Sequence, residues 1–138
     1  MARTFNLADL FEIVAAAVPE RKAFICGAQQ LSFAQLNTRA NQLGNALRAK
    51  GIGRGDNVGI QLYNSAEYLE TFFACMKIGA VPVNINYRYV AHELKYLYTN
   101  LEMKGLVYGA DFEAETQKAL AEAPNVQLPI QVAGAGSA

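Results

Sequence analysis

Apolar residues in this chain recur with two periods, and the places where the period changes divide it into elements. Leu7, Leu10, Phe11 and Val14 fall at helical spacing behind Asn6, a residue type that caps helices, and Pro19 stops the run. Residues 22–26 and 30–32 flank Gly27-Ala28, which predicts a short hairpin. Ser32 with Gln35 has the form of a capping box. It opens a helix in which Leu36, Ala40, Leu43 and Leu47 share one face, closed by Lys50-Gly51 with a cation near the carbonyl end and glycine beyond.

From Val58 the period drops to two. Val58, Ile60 and Leu62 mark a strand, and Asn64 is expected to cap the next helix, with Glu67 at its third position. That helix carries a main stripe of Leu69, Phe72, Phe73 and Met76, while Tyr68, Ala74, Cys75 and Ile78 make its other sides apolar too. A helix apolar nearly all round should be buried on most sides. Gly79 ends it; Val81, Val83 and Ile85 give a second strand; Leu94, Leu97, Tyr98 and Leu101 mark another helix. A strand at Leu106-Val107-Tyr108 and a last helix from Asp111 to about Ala121 complete the pattern.

Strand and helix therefore alternate, and each connection is long enough for a crossover helix, so the strands should run parallel with helices packed against them. The expected fold is α/β. It is a partial Rossmann-like layer of about three parallel strands with crossover helices, plus a short N-terminal helix and hairpin, over residues 1–125. After Pro124 the pattern decays, and residues 126–138 are expected to be a flexible tail. So narrow a parallel sheet suggests a chain cut from something longer.

Composition narrows the function classes. The chain has 138 residues, enough for one domain, with 17% charged residues and no formal net charge. Nothing in that balance argues for nucleic acid or an anionic membrane surface. Asp9 and Glu12 interrupt the apolar N-terminus, unlike a secretory signal, and no apolar run is long enough to span a bilayer. These features predict a soluble cytoplasmic protein. Cys26 and Cys75 both lie in apolar segments and read as buried thiols of a reducing compartment, with a single disulfide as the alternative.

Candidate chemistry is sparse. Gly51, Gly53, Gly55 and Gly59 follow a helix and precede a strand, the reverse of what a phosphate cradle needs, so they read as turn residues. His92, the only histidine, falls in the first turn of a predicted helix and reads as a surface residue. One histidine and two distant cysteines make no zinc site. The aromatic side chains of residues 68–76 suit core packing, with an apolar pocket as the other reading. The most unusual cluster is Asn84, Asn86, Tyr87, Arg88 and Tyr89, placed where the second strand ends. Ligands of open parallel sheets bind outside the carboxyl ends of the strands, and Arg88 suits a phosphate. Against that, the asparagines can serve as turn residues and the tyrosines as packing.

Several phrases resemble one superfamily when taken together. They are L-S-F-x-x-L with Asn41 and Leu47, K-G-I-x-x-G-D-x-V, N-S-x-E-Y with F-F-A-x-x-K-x-G-A-V, and E-L-x-Y. The set resembles the N-terminal portion of the AMP-forming, adenylate-forming enzymes over roughly residues 5–125. The N-x-N-Y-R-Y phrase is most similar to fatty-acyl and steroid-acyl CoA ligases of actinobacteria. The resemblance implies a parent enzyme that activates a carboxylic acid with ATP and Mg to an acyl-adenylate, then transfers it to CoA. It also implies that Asn86, Tyr87 and Arg88 lie near the CoA nucleotide. The family's Ser/Thr/Gly-rich phosphate loop, Mg-assisting Glu, ribose-binding Asp and mobile domain with its Lys have no counterpart here. Gly134-Ala135-Gly136-Ser137 lacks the threonines and the Pro-Lys-Gly of such a loop.

The expectations are therefore a fragment inactive alone, with no catalytic or metal-ligating residue and no tight cofactor binding. Its partners would be the remainder of the full-length enzyme and, through uncovered apolar surface, other copies of itself. The competing reading is a stand-alone α/β binding or regulatory module of the receiver or flavodoxin kind, or a dimerisation partner. Asp56 precedes its strand and Asp111 stands alone after the last, which gives a receiver little to work with.

Overall fold

A computed structural model describes residues 5–134; Gly136 and Ser137 of the glycine-rich ending lie outside the described residues. The element order is α1 (Leu7–Ala17), β1 (Lys22–Cys26), β2 (Gln29–Ser32), α2 (Phe33–Ala49), β3 (Asn57–Gln61), α3 (Ala66–Ile78), β4 (Val81–Asn84), α4 (Ala91–Asn100), β5 (Gly105–Gly109), α5 (Glu113–Leu120) and β6 (Leu128–Val132), with a 3-10 turn at Ala110–Phe112. β1 and β2 form the antiparallel hairpin. The other four strands form one parallel sheet in the order β4-β3-β5-β6.

The α/β reading holds, with one strand more than expected. Residues 128–132, assigned above to a flexible tail, pair with β5 along its whole length. Leu128, Ile130 and Val132 do alternate, but Pro129 interrupts the strand signal. Leu128 N–H donates inward to Lys104 O, so in a parallel ladder the next residue points its nitrogen away from the sheet. At an edge strand a proline there forfeits no hydrogen bond. Pro82 has the same relation to the opposite edge, following Val81, whose N–H donates inward to Asp56 O.

Alternation along the strands sorts their side chains to two faces. Val58, Ile60 and Val107 face the layer of α3 and α2, while Leu106 and Tyr108 face α4 and α5. No residue of α3 is exposed, as its all-round apolar character requires. Its deepest positions, however, are Ala66, Glu70, Thr71, Ala74 and Cys75, whereas Leu69, Phe72, Phe73 and Met76 are only partly buried. Small residues let α2 and α3 approach, and Gly44 of α2 lies against Ala74. Buried Glu70 is paired with Arg39 of α2; burial pushes its carboxyl up and the guanidinium opposes that.

Two caps follow the sequence and one differs. Asn6 and Ser32 form reciprocal capping boxes with Asp9 and Gln35. On α3 the cap is Ser65, not Asn64: its side chain accepts from Tyr68 N–H at 3.3 Å. The face of α1 also differs. Phe11, Ala8 and Ala15 are buried, with Phe11 stacked on Phe73 at 4.1 Å, while Leu7, Leu10 and Val14 are exposed. Glu12 reaches Lys77 at 2.5 Å and Asn6 Nδ2 donates to Met76 O, so polar bonds as well as the ring stack fix the helix to α3.

Three of the four clustered glycines are turn residues, Gly51 and Gly55 with φ of 91° and 83°, values only glycine adopts cheaply. Gly59 lies instead within β3, where a side chain would collide with Ile85 and Met103. Asp56 secures the turn by accepting from Gly53 N–H at 2.7 Å and from Lys104 Nζ at 3.2 Å. The Gly53 bond holds its carboxyl below the usual range; burial opposes it, and Lys104 adds smaller contributions in the same direction as Gly53. The folded state therefore favours the carboxylate. Its stabilisation is complete above the unfolded carboxyl's titration and is lost as pH falls through the lower folded value. Asp56→Asn should cost about 1 kcal/mol at neutral pH, a modest figure because the group is partly solvated. Urea melts of both proteins, at neutral pH and below about pH 4, should show the gap closing in acid.

Candidate functional site at the carboxyl edge of the sheet

The sheet order fixes where a ligand can sit. β3 is followed by α3 on one face, while its neighbours β4 and β5 are followed by α4 and α5 on the other. Loops leaving adjacent strands toward opposite faces part from one another, and crevices open at the carboxyl edge. Two crevices flank the end of β3. One, about 570 Å³, is lined by Tyr63, Asn64, Tyr68, Asn84, Asn86 and Tyr87. The other, about 780 Å³, lies toward β5, β6 and the hairpin turn and includes Tyr63, Asn64, Glu67, Asp111 and Phe112.

Of the cluster singled out from sequence, Asn84, Asn86 and Tyr87 line the first crevice and Arg88 follows them, whereas Tyr89 packs against the core under α4 and α5. Asn84 closes β4, and the chain turns through Asn86, whose Oδ1 accepts from Arg88 N–H at 3.0 Å and whose O accepts from Tyr89 N–H at 3.1 Å. The Asn86 side chain thus serves the turn. Arg88 is exposed, with its guanidinium carbon 5.7 Å from the Tyr87 ring centre, and among the described residues no carboxylate pairs with it. The site therefore presents a solvated cation on an aromatic ring beside a polar crevice. That combination suits a phosphate joined to a planar group.

The sequence reading missed two members of the site. Tyr63 contacts Tyr87 and Phe112 at ring-centre separations of 4.8 and 4.9 Å, and Tyr87 and Phe112 lie 5.8 Å apart. Each ring follows a different strand of the adjacent trio β3, β4 and β5. An aromatic residue just past each of three predicted parallel strands was the available signal.

Other candidates stay apart. His92 is exposed in the first turn of α4, where the neighbouring Ala91 N–H donates to Glu115 at 2.8 Å. That bond, followed by Lys118, keeps the Glu115 carboxyl below its ordinary range. Both cysteines are free, and only one is buried: Cys26 is exposed at the hairpin turn, contrary to expectation. Cys75 is enclosed, and burial pushes its thiol up to about 12, which makes it unreactive. Of the aromatic side chains on α3, Phe72 and Phe73 pack against one another, while Tyr68 reaches the smaller crevice. Among the described residues no group of three or more His, Cys, Asp or Glu could hold a metal, and no helix is long and apolar enough to cross a membrane.

Parallel strands, opposed crossover helices and a polar carboxyl edge define an open α/β domain. More particularly, the chain belongs to the AMP-binding enzyme family, whose model matches residues 11–136. It is 42% identical over 132 residues to a medium/long-chain-fatty-acid–CoA/3-oxocholest-4-en-26-oate–CoA ligase of Mycobacterium marinum, covering 96% of this chain and 24% of that protein. To a 3-oxocholest-4-en-26-oate–CoA ligase of Rhodococcus rhodochrous it is 38% identical, covering 92% and 23% respectively. Among solved structures, the N-terminal domain of FACL13 from Mycobacterium tuberculosis superposes with TM-score 0.87 at 28% identity, over 94% of this chain and 34% of that one. An anthranilate CoA ligase in complex with anthranoyl-AMP gives TM-score 0.90 at 25% identity, over 96% and 26%. The chain thus spans about a quarter of the length of the curated relatives it matches.

Proposed function

We propose that this chain is the N-terminal subdomain of an AMP-forming acyl-CoA ligase acting on a fatty or steroid-type carboxylic acid. The carrying observation is the 42% identity, across 96% of the chain, to a ligase named for both acid classes. In the parent enzyme ATP would convert the acid to an acyl-adenylate, and CoA would supply the thiol that takes the acyl group. This chain's share is the scaffold and the carboxyl edge, where Arg88 and Tyr87, set by the Asn86 turn, fit the phosphates and base of the CoA nucleotide.

The described residues do not fit Mg or the ATP phosphates. They hold no carboxylate cage and no threonine- and glycine-rich loop, so we assign them no step in adenylate formation. The 138-residue chain should accordingly show no acid-dependent ATP–pyrophosphate exchange with fatty or steroid acids. Exchange above the acid-free background would overturn that reading. The exposed Leu7, Leu10 and Ile13 on α1 support self-association of the isolated chain. Light scattering over rising concentration should show mass growth, and a constant monomer mass would count against it.

A further inference from the structure

We infer that Tyr63 and Phe112 are positioning residues for Arg88, acting through the ring of Tyr87. The inference rests on the reading that Arg88 meets the CoA nucleotide, and adds two residues on loops that reading did not include.

Three observations carry it. The rings of Tyr63, Tyr87 and Phe112 close a triangle with sides of 4.8, 4.9 and 5.8 Å, so each is held by the other two. The triangle is not core: Tyr63 is 42% and Tyr87 39% exposed, and Tyr63 lines both crevices. Finally, the Arg88 guanidinium carbon lies 5.7 Å from the Tyr87 ring centre, and among the described residues no carboxylate pairs with it.

The geometry gives each residue a separate task. Asn86 fixes the backbone of the turn through its bond to Arg88 N–H. That bond leaves the guanidinium to swing on its long stem, and the face of Tyr87 narrows the arc it covers. Tyr87 can offer a fixed face only if its own ring is held, and the side chains that hold it come from the loops after β3 and β5. Removing either neighbour would let Tyr87 turn and scatter the cation without unfolding the sheet beneath.

Protons held over an aromatic face resonate upfield, so the position of Arg88 can be read directly. In the isotope-labelled 138-residue chain, with the Arg88 side-chain signals assigned through Arg88→Lys, CoA is the titrant. Tyr63→Ala and Phe112→Ala should each move those signals toward free-arginine positions and weaken CoA about two- to tenfold, the worth of one aromatic pair. Tyr63→Phe should restore both. Tyr63→Leu and Phe112→Leu, which keep apolar bulk without the ring, serve if an alanine variant fails to fold, and the same shifts are expected. Unmoved Arg88 signals in folded ring-less variants would overturn the inference. If the signals move but CoA perturbs none of them in the parent chain, the rings do position Arg88 and the CoA reading is the one that fails.

Discussion

Tyr98→Ala is expected to destabilise the chain by about 3–5 kcal/mol, a large part of the 5–15 kcal/mol that holds a typical domain folded. Tyr98 is fully enclosed beneath the sheet, and its hydroxyl donates to Gln61 Oε1 at 3.0 Å. Thr116 donates to the same oxygen at 3.3 Å, so one amide on β3 receives hydroxyls from α4 and α5. The backbone of Tyr98 is engaged as well, its O accepting from Asn125 Nδ2 at 2.9 Å and from Met103 N–H at 3.0 Å. Burial pushes the phenol up, so it stays neutral and remains a donor throughout the working pH range. Truncation to alanine leaves a cavity and removes half of a buried polar pairing. Tyr98→Phe keeps the volume and Thr116 still serves Gln61, so it should cost only about 1–2 kcal/mol. Urea denaturation followed by circular dichroism separates the two; an alanine loss near that of phenylalanine would contradict the packing described here.

Arg88→Ala should act on function and leave the fold alone. The natural setting for the measurement is a chimera in which residues 5–134 replace the matching segment of the Mycobacterium marinum ligase. On the proposed reading Arg88 contacts the CoA nucleotide and not the acid or ATP. The variant chimera should then show KM for CoA raised about tenfold, the usual worth of an exposed charge-assisted contact. Acid-dependent ATP–pyrophosphate exchange should not change. A loss of exchange equal to the loss of thioester formation would place Arg88 elsewhere in the cycle.

Much of this architecture is legible in the chain because local chemistry and global fold agree. The Asn6 and Ser32 boxes, the Gly79 stop and the alternation at Val58 and Ile60 each describe their own segment. Errors arise where a segment's partner lies far along the chain. α1 presents two apolar stripes, and only the docking of Phe11 on Phe73 decides which is buried. Asn64 and Ser65 are both good caps, and which serves depends on how the chain leaves β3. β6 was hidden by Pro129, whose missing donor matters only in a central strand. The site was half legible. Asn86, Tyr87 and Arg88 stand together in sequence, but Tyr63 and Phe112 reach Tyr87 only because β4-β3-β5 are neighbours in the sheet. No periodicity within one segment encodes that strand order.

The unmutated chimera gives the most direct measurement: its rate of acyl-CoA formation from a fatty acid and from 3-oxocholest-4-en-26-oate, with ATP and CoA supplied. If these residues are the opening portion of such a ligase, the graft should form thioester with at least one of the two acids. A chimera that folds, binds ATP and forms none would contradict the account.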